Sequence, residues 1–319
     1  MLHIVNQAFN PLVSSHRVLY WHNVYTIEPG LYKDGVTALE FETQIIALKK
    51  AGFRFISLAE ALNRARSKAK AEQTVSITTD DGFACNHNTI LPILKRHGLP
   101  ISIFLIGKCL DNRALAWNHK LLIVRARADA ASLDKAINSL ASQYQLSLSK
   151  NTAASLFSVP MRLKDAFADK LWELFCEESQ AEYLAKHKPF LSSEQLTELI
   201  EYGAEIGTHS HSHPDFERLT YPEMLKEIER SCSALQEHTG SPIPYFAYPY
   251  GRYNSAAISS KLCRDTSLDL CLGGRYSLKD NRGDSRLWQR QKMEQSSGQV
   301  NRELLLKPYL RAAKDLLKP

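Results

Sequence analysis

The sequence predicts a parallel α/β domain able to close as a barrel and interrupted by a helical insertion. Three observations carry that expectation. Short β-branched or aromatic runs alternate with amphipathic helical patterns over about residues 17–110 and again from about 190 onward. The clusters best suited to chemistry each follow the end of such a run, and in a parallel barrel that end is the rim where separate strands converge on a substrate. Between about 112 and 190 the alternation gives way to glycine-poor sequence with helical apolar spacing.

Taken in order, Val18-Leu19-Tyr20 is the first strand-like run and ends in Trp21-His22. Thr37 to Ala51 reads as an amphipathic helix, with Leu39, Phe41, Ile45, Ile46 and Leu48 as its apolar set and Gly52 as its stop. Phe53 to Ile56 is a second strand, and Ser57 caps a helix over Leu58 to Lys68. Thr74 to Thr78 is β-branched and fit for a buried strand, which delivers Thr79-Asp80-Asp81-Gly82 to its carboxyl end. A helix over Asn88 to His97, Gly98 and a strand over Ile101 to Ile106 follow. Inside the insertion, the sets Leu121, Leu122, Val124 and Leu133, Ile137, Leu140 and Leu171, Leu174, Phe175 mark helical faces. The alternation resumes with a helix over Ser192 to Tyr202 and a strand over Glu205 to Thr208 reaching His209. A helix over Tyr221 to His238 then leads to a strand over Tyr245 to Tyr248 reaching Pro249-Tyr250-Gly251.

Composition removes several classes of function. A chain of 319 residues with 44% hydrophobic and 23% charged residues is neither collagen-like, disordered nor a repeat array. Forty Lys+Arg against 34 Asp+Glu give a net charge of +6, and without a basic stripe or an RNA motif this excludes a nucleic-acid binder. The local basic excess lies late, over Arg275 to Lys292 and in a tail of about 293–319. Such a segment reads as a solvated face or as an approach to anionic lipid or a phosphate-bearing substrate. The six cysteines form no CxxC pair and read as reduced core thiols. The opening MLHIVNQAFNPLVSSHR lacks the features of a secretory signal, and nothing approaches the ~18 apolar residues of a membrane span. These features point to the cytoplasm, with peripheral contact to the inner membrane face through the basic tail.

Three polar clusters carry the candidate chemistry. Adjacent carboxylates at a strand end point in different directions, so of Asp80 and Asp81 one can bind a metal while the other faces a reacting water; the bland reading is a helix cap followed by a turn. Thr208-His209-Ser210-His211-Ser212-His213 holds three histidines in five residues, and neutral imidazole is the commonest ligand of divalent transition metals. His209 and His213 converge on one ion if the chain turns helically, whereas His211 and His213 share a face if the strand continues. An aspartate with two histidines leaves an open position for water, as catalytic rather than structural sites do. Phe246-Ala247-Tyr248-Pro249-Tyr250-Gly251 is a pocket wall with a backbone N–H available to an oxyanion, or else ordinary core and turn.

The order and spacing of these clusters resemble the polysaccharide deacetylase family, the metal-dependent carbohydrate esterases that share a homology domain with nodulation chitooligosaccharide deacetylases. The TFDDG motif appears as Thr78-Thr79-Asp80-Asp81-Gly82, H-[ST]-x-x-H as His209 to His213, and R-x-P-Y as Ala247-Tyr248-Pro249-Tyr250. The resemblance implies a distorted (β/α) barrel of about seven strands. It further implies Asp80 as general base, Asp81, His209 and His213 as metal ligands, and the Tyr250 N–H as oxyanion donor. The third-motif arginine that orients the base is Ala247 here, and Arg290 in Leu287-Trp288-Gln289-Arg290 is assigned as its substitute. The family's usual late histidine acid is also missing, since no histidine follows His238. A branch similar to bacterial poly-N-acetylglucosamine deacetylases carries that acid at the end of an early Tyr-His strand. Tyr20-Trp21-His22 looks like such a strand with Trp21 inserted, which makes His22 the expected acid.

The implied reaction is removal of acetyl from an N-acetylhexosamine of a bacterial glycan or lipid-linked sugar precursor. Zn²⁺ is the default metal for this ligand set, with Co²⁺ and Ni²⁺ also accepted. Two other readings stand beside it: a deformylase or esterase acting on a related sugar amide or ester, and, because of Ala247, a non-catalytic glycan-binding member of the fold.

Overall fold

A computed structural model describes residues 16–26, 35–67, 72–148, 156, 158–274 and 286–294. The expected basic tail, apart from Met293 and Glu294, and most of the basic run from Arg275 lie outside the described residues. In chain order the strands are β1 (His16–Trp21), β2 (Val24–Tyr25), β3 (Val36–Thr37), β4 (Arg54–Phe55), β5 (Thr74–Thr79), β6 (Ser102–Leu105), β7 (Glu205–Thr208), β8 (Tyr245–Ala247), β9 (Leu270–Gly273) and β10 (Leu287–Lys292). Seven of them close a parallel barrel in the order β1, β5, β6, β7, β8, β9, β10 and back to β1. β1 is the closing stave. One edge pairs along the whole of β5, from His16 opposite Thr74 to Trp21 opposite Thr79, and the other pairs with β10, Val18 opposite Arg290. The second edge of β5 is shared between short β4 at its start and β6 at its end.

Helices pack outside this barrel for reasons written in their sequences. α1 (Ala38–Lys50) starts at a capping box in which the Thr37 side chain and Glu40 satisfy each other's exposed backbone N–H. It buries Phe41, Ile45 and Leu48 at i, i+4, i+7 spacing, each worth ~1.5–3 kcal/mol of apolar burial. Leu39 falls off that stripe and is 75% exposed, so it does not belong to the apolar face that the sequence suggests. α2 (Leu58–Arg66) is capped by Ser57, and α3 (Leu91–His97) ends at Gly98 in the left-handed conformation.

Residues 113–189 leave the barrel between β6 and β7 and carry α4 (Trp117–Arg127), α5 (Ala130–Gln143), α6 (Met161–Phe175) and α7 (Gln180–His187). They build a second apolar core, with Val124, Ile137, Phe167, Leu171 and Trp172 buried, which also takes in Phe83, Ile106 and Cys109 of the barrel's loops, while Leu174 is 60% exposed on the outer side. The two ends of this segment are tied together. The Asn112 side chain donates to the Phe190 carbonyl and accepts from the Phe190 N–H, at 3.1 and 3.0 Å. The barrel then continues through α8 (Ser193–Glu201), β7, α9 (Tyr221–Thr239), β8, α10 (Ala256–Asp265), β9 and β10.

The late part of the chain departs from the sequence reading. Arg275 to Lys292 reads as a solvated basic face, yet its final residues are β10, and Leu287, Trp288, Gln289 and Arg290 are buried. Charge content hid a strand whose apolar residues close the barrel. The six cysteines are free thiols, four of them buried. No helix among the described residues is long and apolar enough to cross a membrane.

Candidate active site

Parallel strands put all their carboxyl ends on one rim, and the residues that follow them meet there. β5 supplies Asp80 and Asp81, β7 supplies His209 and the loop to His213, β8 supplies Tyr250, β1 supplies His22, and Arg290 and Glu294 come from β10 and the residues after it. Four of these positions, Asp81, Ser210, His213 and Tyr250, hold non-glycine residues in the left-handed region. Each costs ~1–3 kcal/mol, and such strain persists where surrounding structure fixes a side chain in place.

One half of the rim gathers lone pairs. Asp81 Oδ1 lies 3.5 Å from His209 Nε2 and 3.5 Å from His213 Nε2. His209 Nδ1 donates to the Ala247 carbonyl at 2.8 Å, so its Nε2 carries the lone pair. His213 Nδ1 lies 3.2 Å from the Tyr250 hydroxyl, and in the tautomer that donates to this oxygen its Nε2 likewise turns a lone pair toward Asp81. Burial pushes both imidazoles down in pKa, His213 furthest, and so holds them neutral. Burial alone would raise the Asp81 carboxyl. The His119 hydrogen bond and neighbouring imidazoles instead hold it far below the usual range. Its Oδ1 is buried with no hydrogen-bond partner among the described residues. Three ligand atoms all within 4.8 Å of one another, one of them an orphaned anionic oxygen, form a set whose donor types fit a divalent cation.

His211 stands apart from this group. The loop is pinned by Glu227, which accepts from the His211 and Ser212 N–H groups, and by Ser210 Oγ, which accepts from the His213 N–H at 3.0 Å. The chain therefore turns after β7, and His209 and His213, rather than His211 and His213, share the site. His211 is held low, at about 4, by burial and by the charges of Arg230 and Lys108.

The other half gathers paired charges. Arg290 is 1% exposed and holds Asp80 through two parallel bonds, Nη1 to Oδ1 at 2.6 Å and Nη2 to Oδ2 at 2.7 Å. Its guanidinium lies 4.5 Å from the Tyr20 ring centroid and 5.4 Å from that of Phe104. Phe104 in turn needs Gly207 opposite it, since a Cβ there would lie 2.4 Å from the ring. Burial works to raise the Asp80 carboxyl, and the Arg290 charge overcomes it and holds Asp80 below its ordinary value. His22 keeps 15% exposure, and its Nδ1 meets Glu294 Oε2 at 3.0 Å while its backbone N–H donates to Oε1 at 2.6 Å. Burial would lower His22, but the Glu294 charge and hydrogen bond, with smaller help from Asp81 and Asp80, raise it to about 9.

Two residues here escape the sequence reading. Glu294 follows a strand whose register, Val18 opposite Arg290 and Tyr20 opposite Lys292, points straight to a pairing of 22 with 294. Recognising β10 is the signal that finds it. His119, one turn into α4, brings its Nε2 to 3.3 Å from Asp81 Oδ2. A lone histidine in a helical run carries no sequence signal of such a contact.

Comparison with known proteins follows the same line. Residues 67–262 match the polysaccharide deacetylase family. A Bacillus subtilis strain 168 protein, YxkH, whose name places it among polysaccharide deacetylases, is 21% identical over 222 residues, covering 69% of this chain; the chain spans 53% of YxkH's length. Among solved structures, IcaB from Ammonifex degensii superposes with a TM-score of 0.58 at 19% identity, covering 88% of this chain and 92% of that one. The Streptococcus pyogenes deacetylase PplD, solved with acetate, gives 0.56 at 15% identity, covering 90% and 96%. At these identities the structural likeness shows the fold.

Proposed function

This chain belongs to the polysaccharide deacetylase family, and we propose that it is a metal-dependent hydrolase removing acetyl from the nitrogen of an N-acetylhexosamine. The observation that carries the reading is the convergence on one rim of an orphaned anionic oxygen with two imidazole lone pairs, beside an arginine-held carboxylate and a glutamate-held histidine. Asp81, His209 and His213 would hold a divalent cation, Zn²⁺ first by donor type and Co²⁺ or Ni²⁺ after it. Bound there, the metal would make water more acidic and polarise the acyl carbonyl.

The chain's own groups supply the rest. Asp80, kept ionised by Arg290, accepts the proton of the attacking water at its carboxylate oxygen. The Tyr250 N–H donates to the oxyanion that develops as water adds to the carbonyl carbon. His22, protonated at neutral pH through Glu294, gives its proton to the sugar nitrogen as the C–N bond breaks, and acetate and a free amine leave. An amide nitrogen is a poor leaving group unprotonated, which is why a histidine kept cationic suits this substrate better than an ester. Arg290 on Asp80 also supports a working enzyme over a glycan-binding member of the fold, because it fills the place of the arginine replaced by Ala247.

The setting we propose is an N-acetylated sugar of a bacterial glycan or of a lipid-linked precursor. The test is acetate release from short N-acetylglucosamine oligomers, before and after chelation and on return of Zn²⁺. The expected result is activity lost on chelation and restored by metal. Full activity in chelator overturns the metal reading, and release of formate or of O-linked acetate alone moves the assignment to the related sugar amide or ester.

A further inference from the structure

Among the described residues, the helical segment outside the barrel meets the candidate metal centre at the start of α4. Trp117 Nε1 donates to the carbonyl of His213 at 2.9 Å, and two residues later His119 Nε2 stands 3.3 Å from Asp81 Oδ2. One helical turn therefore grips both the loop bearing one proposed ligand and the side chain of another. His119 is fully buried, its ring packed against both Phe83 and Phe190 with centroids at 5.4 and 5.3 Å, beside the stacked pair that those two rings form. Its Nδ1 is buried with no hydrogen-bond partner among the described residues. A proton on Nδ1 would be an unsatisfied donor, whereas a proton on Nε2 meets a carboxylate oxygen, so the geometry favours Nε2–H directed at Asp81.

We infer that His119 is a positioning residue that fixes how Asp81 presents itself to a cation. The donor occupies Oδ2 and leaves Oδ1, the oxygen equidistant from His209 and His213, as the single oxygen facing the site. A carboxylate released from this bond is free to rotate or to offer both oxygens, with loss of geometry and affinity. Partners that orient metal ligands typically contribute 10–100-fold in metal affinity or activity. The inference rests on the proposed metal site, and it assigns to the insertion a part in metal retention.

The test is metal binding itself, by competition of Zn²⁺ against a chromophoric chelator, with thermal melting with and without metal. His119→Phe fills the aromatic slot and removes the donor; His119→Gln keeps an N–H at the position of Nε2. The expected result is Zn²⁺ affinity weakened about 10–100-fold in His119→Phe, with a smaller metal-induced rise in Tm and an unchanged or higher Tm in chelator, and recovery to within about threefold in His119→Gln. Wild-type affinity in His119→Phe overturns the inference, as does equal weakening in both variants, which would mark shape rather than a donor. Asp81→Ala separates the two claims. If it binds Zn²⁺ as tightly as the wild type, the metal site itself is wrong; if it is empty while His119→Phe is full, only the role of His119 falls.

Discussion

The two halves of the rim treat charge in opposite ways. On the β5 to β8 side an anionic oxygen and two neutral imidazoles face one another at 3.5 Å. On the β1 to β10 side each ionised group has a counterion within 3.0 Å, Arg290 for Asp80 and Glu294 for His22. The halves share a rim, yet a carboxylate oxygen of the first has no hydrogen-bond donor among the described residues, whereas the charges of the second are paired. A buried carboxylate oxygen without a donor is costly, and that cost is what supports a cation on the first half.

The largest expected effect breaks the first half. His209→Ala and His213→Ala should abolish stoichiometric Zn²⁺ and with it activity, while His211→Ala retains metal, as read by elemental analysis of purified protein. Asp80→Asn tests whether the halves are separate: activity should fall by about 10²–10⁴-fold with metal content unchanged. Parallel loss of metal would merge the two halves into one. Smaller and more selective is His22→Ala, which should cost roughly 10²-fold on an N-acetylated sugar and much less on an aryl acetate, whose leaving group needs little protonation. Equal losses on both substrates would remove His22 from the proton path. The smallest effect is a shift of pH dependence. With His22 raised to about 9, its proton is held through neutral pH and lost as pH rises through 9, so the alkaline limb of the amide rate should lie there. Glu294→Gln should bring that limb down toward the ordinary histidine value of 6.5. The same sign governs stability: the His22–Glu294 pair contributes fully below about 6.5 and nothing above about 9, so the variant's loss of Tm should vanish at high pH.

What the sequence made legible follows from how local each signal is. The strand of Thr74 to Thr79, the turn of Asp80-Asp81-Gly82 and the histidine run after Thr208 are contiguous, and the structure brings Asp81, His209 and His213 together. The barrel is legible from alternation, although β9 and α10 are not, since Leu270–Gly273 holds no β-branched residue and Ala256–Asp265 has few large apolar side chains to mark a face. Arg290 is legible only as a replacement for the arginine absent at Ala247, and its strand is masked by the basic residues around it. Glu294 and His119 were out of reach, since one depends on the register of an unrecognised strand and the other on where a helix outside the barrel happens to dock.

The closing stave has a consequence for how the molecule is made. His22 and Glu294 are 272 residues apart in the chain, and β1 reaches β10 across the same distance. At synthesis rates of about 5–20 residues per second, β1 waits roughly 15–55 s for that partner. Its β5-facing edge is covered early, but the other presents the backbone of an apolar strand until Leu287 to Lys292 emerge, a template for pairing with another chain. Products halted before β10 should therefore associate through that open edge, and the His22–Glu294 pair is the last contact of the rim to come into being.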